Sequence, residues 1–284
     1  MATGARQALW QAAEPIHALV YFDRGVRRAV RAAGAPGFWA GYFGTRLAPL
    51  QTGDPWLATA VLYVFARPMV AEHLPAPADG AAWDAARRSA VREVLAGLGG
   101  AAAPPAGAWL AAGERVRAMV AEADPAGRPL FAAHAGRPWP DDPWLALWHG
   151  VTVLRELRGD GHVHALATAG LSGCEALLLA LLWRGDAEAA ERIAADDRGW
   201  DAAAVAAAYG GLAERGWLGQ DRRLTDAGCE ARAAIEDATD ALSLPPGTGD
   251  DAVEAALAAL APLAALAVPH IPAVNPIGIR GTGP

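Results

Sequence analysis

Between two Ala/Leu-rich runs, the segment 155-RELRGDGHVH-164 gathers Arg155, Glu156, Arg158, Asp160, His162 and His164. A neutral imidazole beside a carboxylate can act as a general base or hold a ligand by hydrogen bonds. At the first turn of a helix the dipole disfavours a charged imidazole, so Asp160 and His162 form a candidate proton-exchange pair. Asp160 also has a structural reading. Set between Gly159 and Gly161, it is placed to cap a helix that starts at His162. His162 and His164 project about 200° apart on a helix, and neither an HExxH spacing nor a cysteine joins them, so no metal is expected.

A second cluster is 38-FWAGYFGTRLAPL-50, where spacings of three and four put Trp39, Tyr42, Phe43 and Arg46 on one helix face. Aromatic faces with one arginine suit a flat or carboxylated organic molecule. The same pattern also describes ordinary core with an arginine reaching for water. His17 and Tyr21, just upstream, add an imidazole and a phenol. The two clusters together suggest one cleft between the halves of the chain. Trp39, Tyr42, Arg46, Glu156 and Arg158 would bind, with Arg46 and Arg158 clamping an anion. His162, Asp160 and His17 would carry the chemistry of any reaction. No GxGxxG, P-loop or GxSxG pattern occurs, so no cofactor is expected.

The elements that must position these residues are helices. Alanine, leucine, glutamate and arginine dominate the 284 residues, 53% are hydrophobic, and β-branched runs are scarce. The chain has no lysine, and its net charge of −7 repels phosphate backbones on average. Arg24, Arg27, Arg28 and Arg31 are a local exception, read either as phosphate contacts or as a solvated helix face. Cys174 and Cys229 belong to no ligand cluster, which fits a reduced, cytoplasmic setting. The start of the chain lacks a signal-peptide core. The alanine-rich tract 252–268 contains Glu254 and Pro262 and reads as a core helix, so no membrane partner is expected.

Helices are expected over 143–157 and from 162 onward, with a break at 159–161, and over 56–74, 83–98, 108–123, 201–215, 225–242 and 251–266. The Gly/Pro-rich stretch 99–107 reads as a linker. This organises the chain as a helical, winged-helix-like unit over 1–98, a linker and connecting helix over 99–142, a winged-helix unit over 143–242, and a helix with an extended tail over 243–284. A faint internal echo, 33-AGAPGFWA-40 against 169-AGLSGCEA-176, suggests two related halves.

The most explicit local pattern is 200–242. A helix ends at Arg215-Gly216, Trp217-Leu218 and Arg223-Leu224 flank a polar turn, and Thr225 caps the next helix. This resembles the MarR-type winged helix-turn-helix, in which "RG" ends the recognition helix, "DRR" lies in the wing and "LTxAG" opens the following helix. The residues are Arg215-Gly216, Asp221-Arg222-Arg223 and Leu224-Thr225-Asp226-Ala227-Gly228. Over its whole length the chain also resembles an actinobacterial MarR-like family of about this size. Glu14-Pro15-Ile16-His17, Gly37–Phe43, Pro138-Trp139-Pro140, Leu154-Arg155-Glu156 with Arg158-Gly159-Asp160-Gly161-His162, and Asn275-Pro276-Ile277-Gly278 carry that likeness. Where the family pattern reads LREHRGDGHVAAL, this chain has Leu157 for the first histidine and His164 for an alanine. The resemblance implies a mainly α, winged-helix fold and brings no established reaction.

A recognition helix needs donors for base edges. Residues 201–215 provide alanines, Tyr209, two glycines, Glu214 and Arg215, with no Arg, Asn, Gln or Ser in the first three turns. Two readings follow. In the first, the chain binds a small organic ligand, anionic or aromatic, in specialised metabolism, as a binder or a cofactor-independent enzyme. In the second, it is a MarR-like DNA-binding regulator that contacts DNA through Arg215, Arg222 and Arg223. A monomer and a homodimer are both compatible with the sequence.

Overall fold

A computed structural model describes residues 2–273, 275, 279 and 281–283. Its regular structure is helical, with only isolated β-bridges among the described residues. The contacts divide the chain into two compact units of interleaved segments. The first comprises Met1–Gly53, Pro75–Asp160 and Asp240–Pro284; the second comprises Asp54–Leu74 and Gly161–Thr239. The expected organisation used consecutive blocks. These units are not consecutive, because chain-distant helices bury their apolar faces on each other.

In the first unit, α1 (Ala2–Phe22) packs along α14 (Asp250–Ala267), which also packs on α7 (Ala106–Val120). Alpha 14 is long and apolar enough to cross a membrane. Its stripe Val253, Ala256, Leu260, Leu263 and Ala267 is buried in the core. Alpha 2 (Arg24–Ala32) and α3 (Phe38–Leu47) both lie against α6 (Pro77–Gly97). Asp23 starts α2 by accepting hydrogen bonds from the amides of Gly25 and Val26 at 2.7 and 3.0 Å. A short helix missed by sequence reading, α8 (Pro129–Ala135), follows α7. In the tail, Ile279 is buried and Asn275 bonds the carbonyls of Pro272 and Ile279, so the described tail residues are pinned. Residues 276–278 of the family-like Asn-Pro-Ile-Gly motif lie outside the described residues.

Alpha 9 runs without interruption over Pro143–Thr168. The break expected at Gly159-Asp160-Gly161 does not occur. Each interior glycine costs about 1 kcal/mol relative to alanine, and the buried side chains of Glu156, Leu157, Arg158 and Asp160 outweigh that penalty. Asp160 accepts a hydrogen bond from the amide of Phe131 at 2.8 Å. It therefore caps the start of α8 rather than a new helix at His162.

In the second unit, α4 (Pro55–Val61) and α5 (Arg67–His73) replace the single expected helix over 56–74. Alpha 10 (Gly173–Trp183) begins with a capping box between Ser172 and Glu175. A short α11 (Ala190–Arg192) continues as a π turn to Asp197, and α12 (Ala202–Glu214) follows, capped by Asp201. Gly216, at φ 72°, ends α12 in the left-handed conformation. Leu218 and Leu224 then form an antiparallel bridge. Thr225 caps α13 (Asp226–Leu242) through the amide of Gly228. A side chain at Gly228 would lie 2.2 Å from the carbonyl oxygen of Trp217, so only glycine lets the ribbon cross here.

Candidate functional site

The first unit contains a cavity of about 410 Å³, bounded by α1, α2, α3 and α6. Volumes of roughly 300–1,000 Å³ are typical of small-molecule sites. Val26 and Val30 turn inward on α2, which leaves Arg24, Arg27, Arg28 and Arg31 exposed on the other side, along the cavity mouth. No ion pair engages these four among the described residues. From Arg24 to Gly53 the sequence has no Asp or Glu to offer them. Phe38 and Tyr42 of α3 form an aromatic wall, with ring centroids 6.3 Å apart and planes 16° apart. Arg87 of α6 also lines the space and is 3% exposed. It donates to the Thr45 carbonyl and to Asp84, and its Nε has no hydrogen-bond partner. Asp84 is shared with Arg137, so one carboxylate serves two guanidiniums.

Beneath the wall lies a buried polar network. The guanidinium of Arg46 donates to both oxygens of Glu156, at 3.2 and 2.9 Å, and to the Tyr42 hydroxyl at 3.0 Å. Arg155 bridges Glu14 and Glu156. Burial works to raise the pKa of Glu156. Arg46 and Arg155 outweigh it and hold the carboxyl well below the usual range. His134 places Nε2 3.1 Å from the Arg46 carbonyl, and burial pushes its pKa down to about 4.

Proton counting assigns a direction to the hydrogen-bond chain at His17. Thr152 gives its one hydroxyl proton to the Trp148 carbonyl at 2.7 Å. Its oxygen, 3.0 Å from His17 Nδ1, must therefore accept from that nitrogen. His17 Nε2 is then a lone pair, and Tyr21, 2.8 Å away, donates its phenolic proton to it. Burial, reinforced by Arg155, keeps His17 well below the ordinary imidazole pKa. Burial also raises Tyr21 well above the ordinary phenol value. The proton rests on Tyr21, a cavity-lining residue.

Of the residues singled out in the sequence, His17, Tyr42, Arg46 and Glu156 thus join one network with Tyr21. Trp39 sets its ring edge-on to Tyr42, at a centroid distance of 5.9 Å. Arg158 does not join Arg46 as an anion clamp. It pairs with Asp240 at 3.0 Å and lies over Trp10, and two residues of helix turn it away from Glu156. His162 belongs to the other unit, where its Nδ1 is 2.8 Å from the hydroxyl of Thr239. Sequence reasoning gave Arg87 and Thr152 no role. A legible signal was present in the four arginines of α2, which are spaced at three and four with no acid on the same helix.

Burial pushes the Asp160 carboxyl up to about 6, with the Phe131 amide pulling the other way. A raised acid pKa in the folded state means that stability from this group falls as pH rises from about 4 to about 6. Glu156 acts with the opposite sign, so the test is comparative. Asp160→Asn keeps an acceptor for Phe131 and removes the titration. Between pH 4.5 and 7, the stability of the native protein relative to this variant should drop by on the order of 1–2 kcal/mol. Urea unfolding at the two pH values measures this, and a constant difference would refute it.

In the second unit, α10 packs on α12 and on the short α11. The outward positions of α12 are Ala202, Ala203, Ala206, Ala207, Gly210, Ala213 and Glu214. Arg215 donates to the carbonyls of Ala169 and Gly170 and so closes the C-terminal end of α9. Arg222 pairs with Glu191 and lies over the ring of Tyr209. Arg223 is exposed.

The architecture is that of a mainly α protein carrying a helix-turn-helix. The chain belongs to a helix-turn-helix family, whose model matches residues 5–271. Comparison with curated proteins and with solved structures finds no match.

Proposed function

We propose that this is a small-molecule-binding protein of winged-helix, MarR-like type, whose ligand site is the cavity of the first unit. The observation that carries the reading is the cavity itself. It is about 410 Å³ in volume and combines an aromatic wall with four exposed arginines that no ion pair engages among the described residues. A flat organic anion fills such a space with both of its halves satisfied. The fluorescent anion 8-anilinonaphthalene-1-sulfonate should bind saturably, one per chain, and Phe38→Ala or Tyr42→Ala should weaken it about tenfold. Binding that ignores both substitutions would place the dye elsewhere and refute the reading.

Membership of a helix-turn-helix family favours a second reading, a DNA-binding regulator. The alanine surface of α12 speaks against sequence readout, because Glu214, at its C-terminal end, is the one outward position with a polar side chain to offer a base edge. Arg215 is engaged with backbone carbonyls of the unit, and Arg222 pairs with Glu191 at the surface, so Arg222 and Arg223 are both exposed cations of the ribbon. In gel-shift experiments with its own upstream DNA at low salt, submicromolar protein should produce no shift. A salt-sensitive shift abolished by the Arg222→Ala, Arg223→Ala double variant would establish the regulator instead.

A further inference from the structure

We infer that the cavity of the first unit takes an organic phosphate, a phosphate or diphosphate ester of a hydrophobic alcohol, with the phosphate at the mouth and the hydrocarbon inside. The inference rests on the cavity reading and narrows it to one ligand class. Charge is the first argument. Arg24, Arg27, Arg28 and Arg31 face the mouth from a single helix, and thirty residues of chain from Arg24 to Gly53 contain no carboxylate. The nearby acid Asp23 is occupied with the amides of α2. In a protein of net charge −7, such a cluster is a concentrated local departure from the average field.

Valence is the second argument. A carboxylate brings a single charge and two oxygens. A phosphate monoester brings about −1.5 to −2 and three strong acceptor oxygens, and guanidinium forks match it bidentately. Four guanidiniums at spacings of three and four can converge on such a group from one side. Arg87, 3% exposed and lining the same cavity, adds a buried Nε that has no acceptor.

The interior is the third argument. Behind the arginines, Val20, Val30, Ala35, Phe38 and the Tyr42 ring present carbon. A sugar or a base would leave its polar edges unmatched there, whereas an aryl or alkyl body would not. The site therefore selects against nucleotides by its walls and against neutral hydrocarbons by its mouth.

Titration calorimetry with 1-naphthyl phosphate, 1-naphthoic acid, 1-naphthol and inorganic phosphate tests this on the full chain. Naphthyl phosphate is expected to bind best, about tenfold tighter than the naphthoate and tighter still than naphthol. The exposed triple variant Arg27→Ala, Arg28→Ala, Arg31→Ala should cut naphthyl phosphate affinity at least tenfold and leave naphthol unchanged. Phe38→Ala should weaken naphthyl phosphate and leave inorganic phosphate unaffected. Equal affinity for naphthol and naphthyl phosphate would overturn the ligand class while the cavity reading stands. Inorganic phosphate binding as well as the ester would remove the hydrophobic half of the inference. If none of the three naphthyl probes binds, both readings fall. Salt-sensitive binding of a DNA duplex, lost in the triple variant, would reassign the arginines to nucleic acid and overturn the inference.

Discussion

Glu156→Ala is expected to destabilise the protein by about 3–5 kcal/mol, because it leaves buried guanidinium charge without a counterion. Glu156 is 1% exposed and takes both forks of Arg46 and one nitrogen of Arg155. Arg155 retains Glu14, so the damage falls mainly on Arg46, which has Tyr42 as its remaining side-chain partner. A thermal midpoint lower by roughly 10 °C corresponds to that energy in a chain of this size. Glu156→Gln keeps the shape and should lose nearly as much, which separates charge from packing. The double variant Arg46→Met, Glu156→Leu should recover much of the loss, since a well-packed apolar pair can replace a buried ion pair. A loss below about 1 kcal/mol for Glu156→Ala would mean that water reaches Arg46, and the network would then not be the buried support of the Tyr42 wall described above.

Trp148→Ala should be comparably severe, at about 3–5 kcal/mol. Trp148 is 1% exposed, lies parallel to the His17 ring at 6.0 Å, and carries Arg87 and Arg88 at 5.1 and 5.7 Å from its ring centroid. Truncation opens a void beside His17 and removes the aromatic face on which buried Arg87 rests. The loss therefore combines missing transfer energy, a cavity and a cation–π contact. Trp148→Phe, which retains a ring, should lose less than half as much. Denaturant midpoints of the two variants measure the difference. Equal losses would show that the indole's size and its contact with Arg87 contribute little.

Much of the segment 200–242 was legible in the sequence because its signals are local. Asp201, Gly216 and Thr225 each act within a few residues of themselves, as caps and stops. The alanine face of α12 was equally readable, since helical periodicity alone decides which residues turn outward. The aromatic stretch 38–46 and the basic stretch 24–31 could likewise be seen as faces of helices.

Tertiary structure decided what those faces meet. Gly159-Asp160-Gly161 looks like a helix break, and in isolation it favours one. Continuity of α9 came from buried neighbours and from the amide of Phe131, 29 residues away, which draws Asp160 into capping another helix. Pairing Arg46 with Glu156 across 110 residues, and Arg158 with Asp240, dissolved the expected clamp of two arginines. Sequence thus determined helical content, the stop at Gly216 and the cap at Thr225, and the chemistry exposed on each face, because these depend on short-range geometry. Which carboxylate met which guanidinium, and that α2 and α3 enclose a cavity, depended on long-range packing, in which many chain-distant partners of the same type compete and burial selects among them.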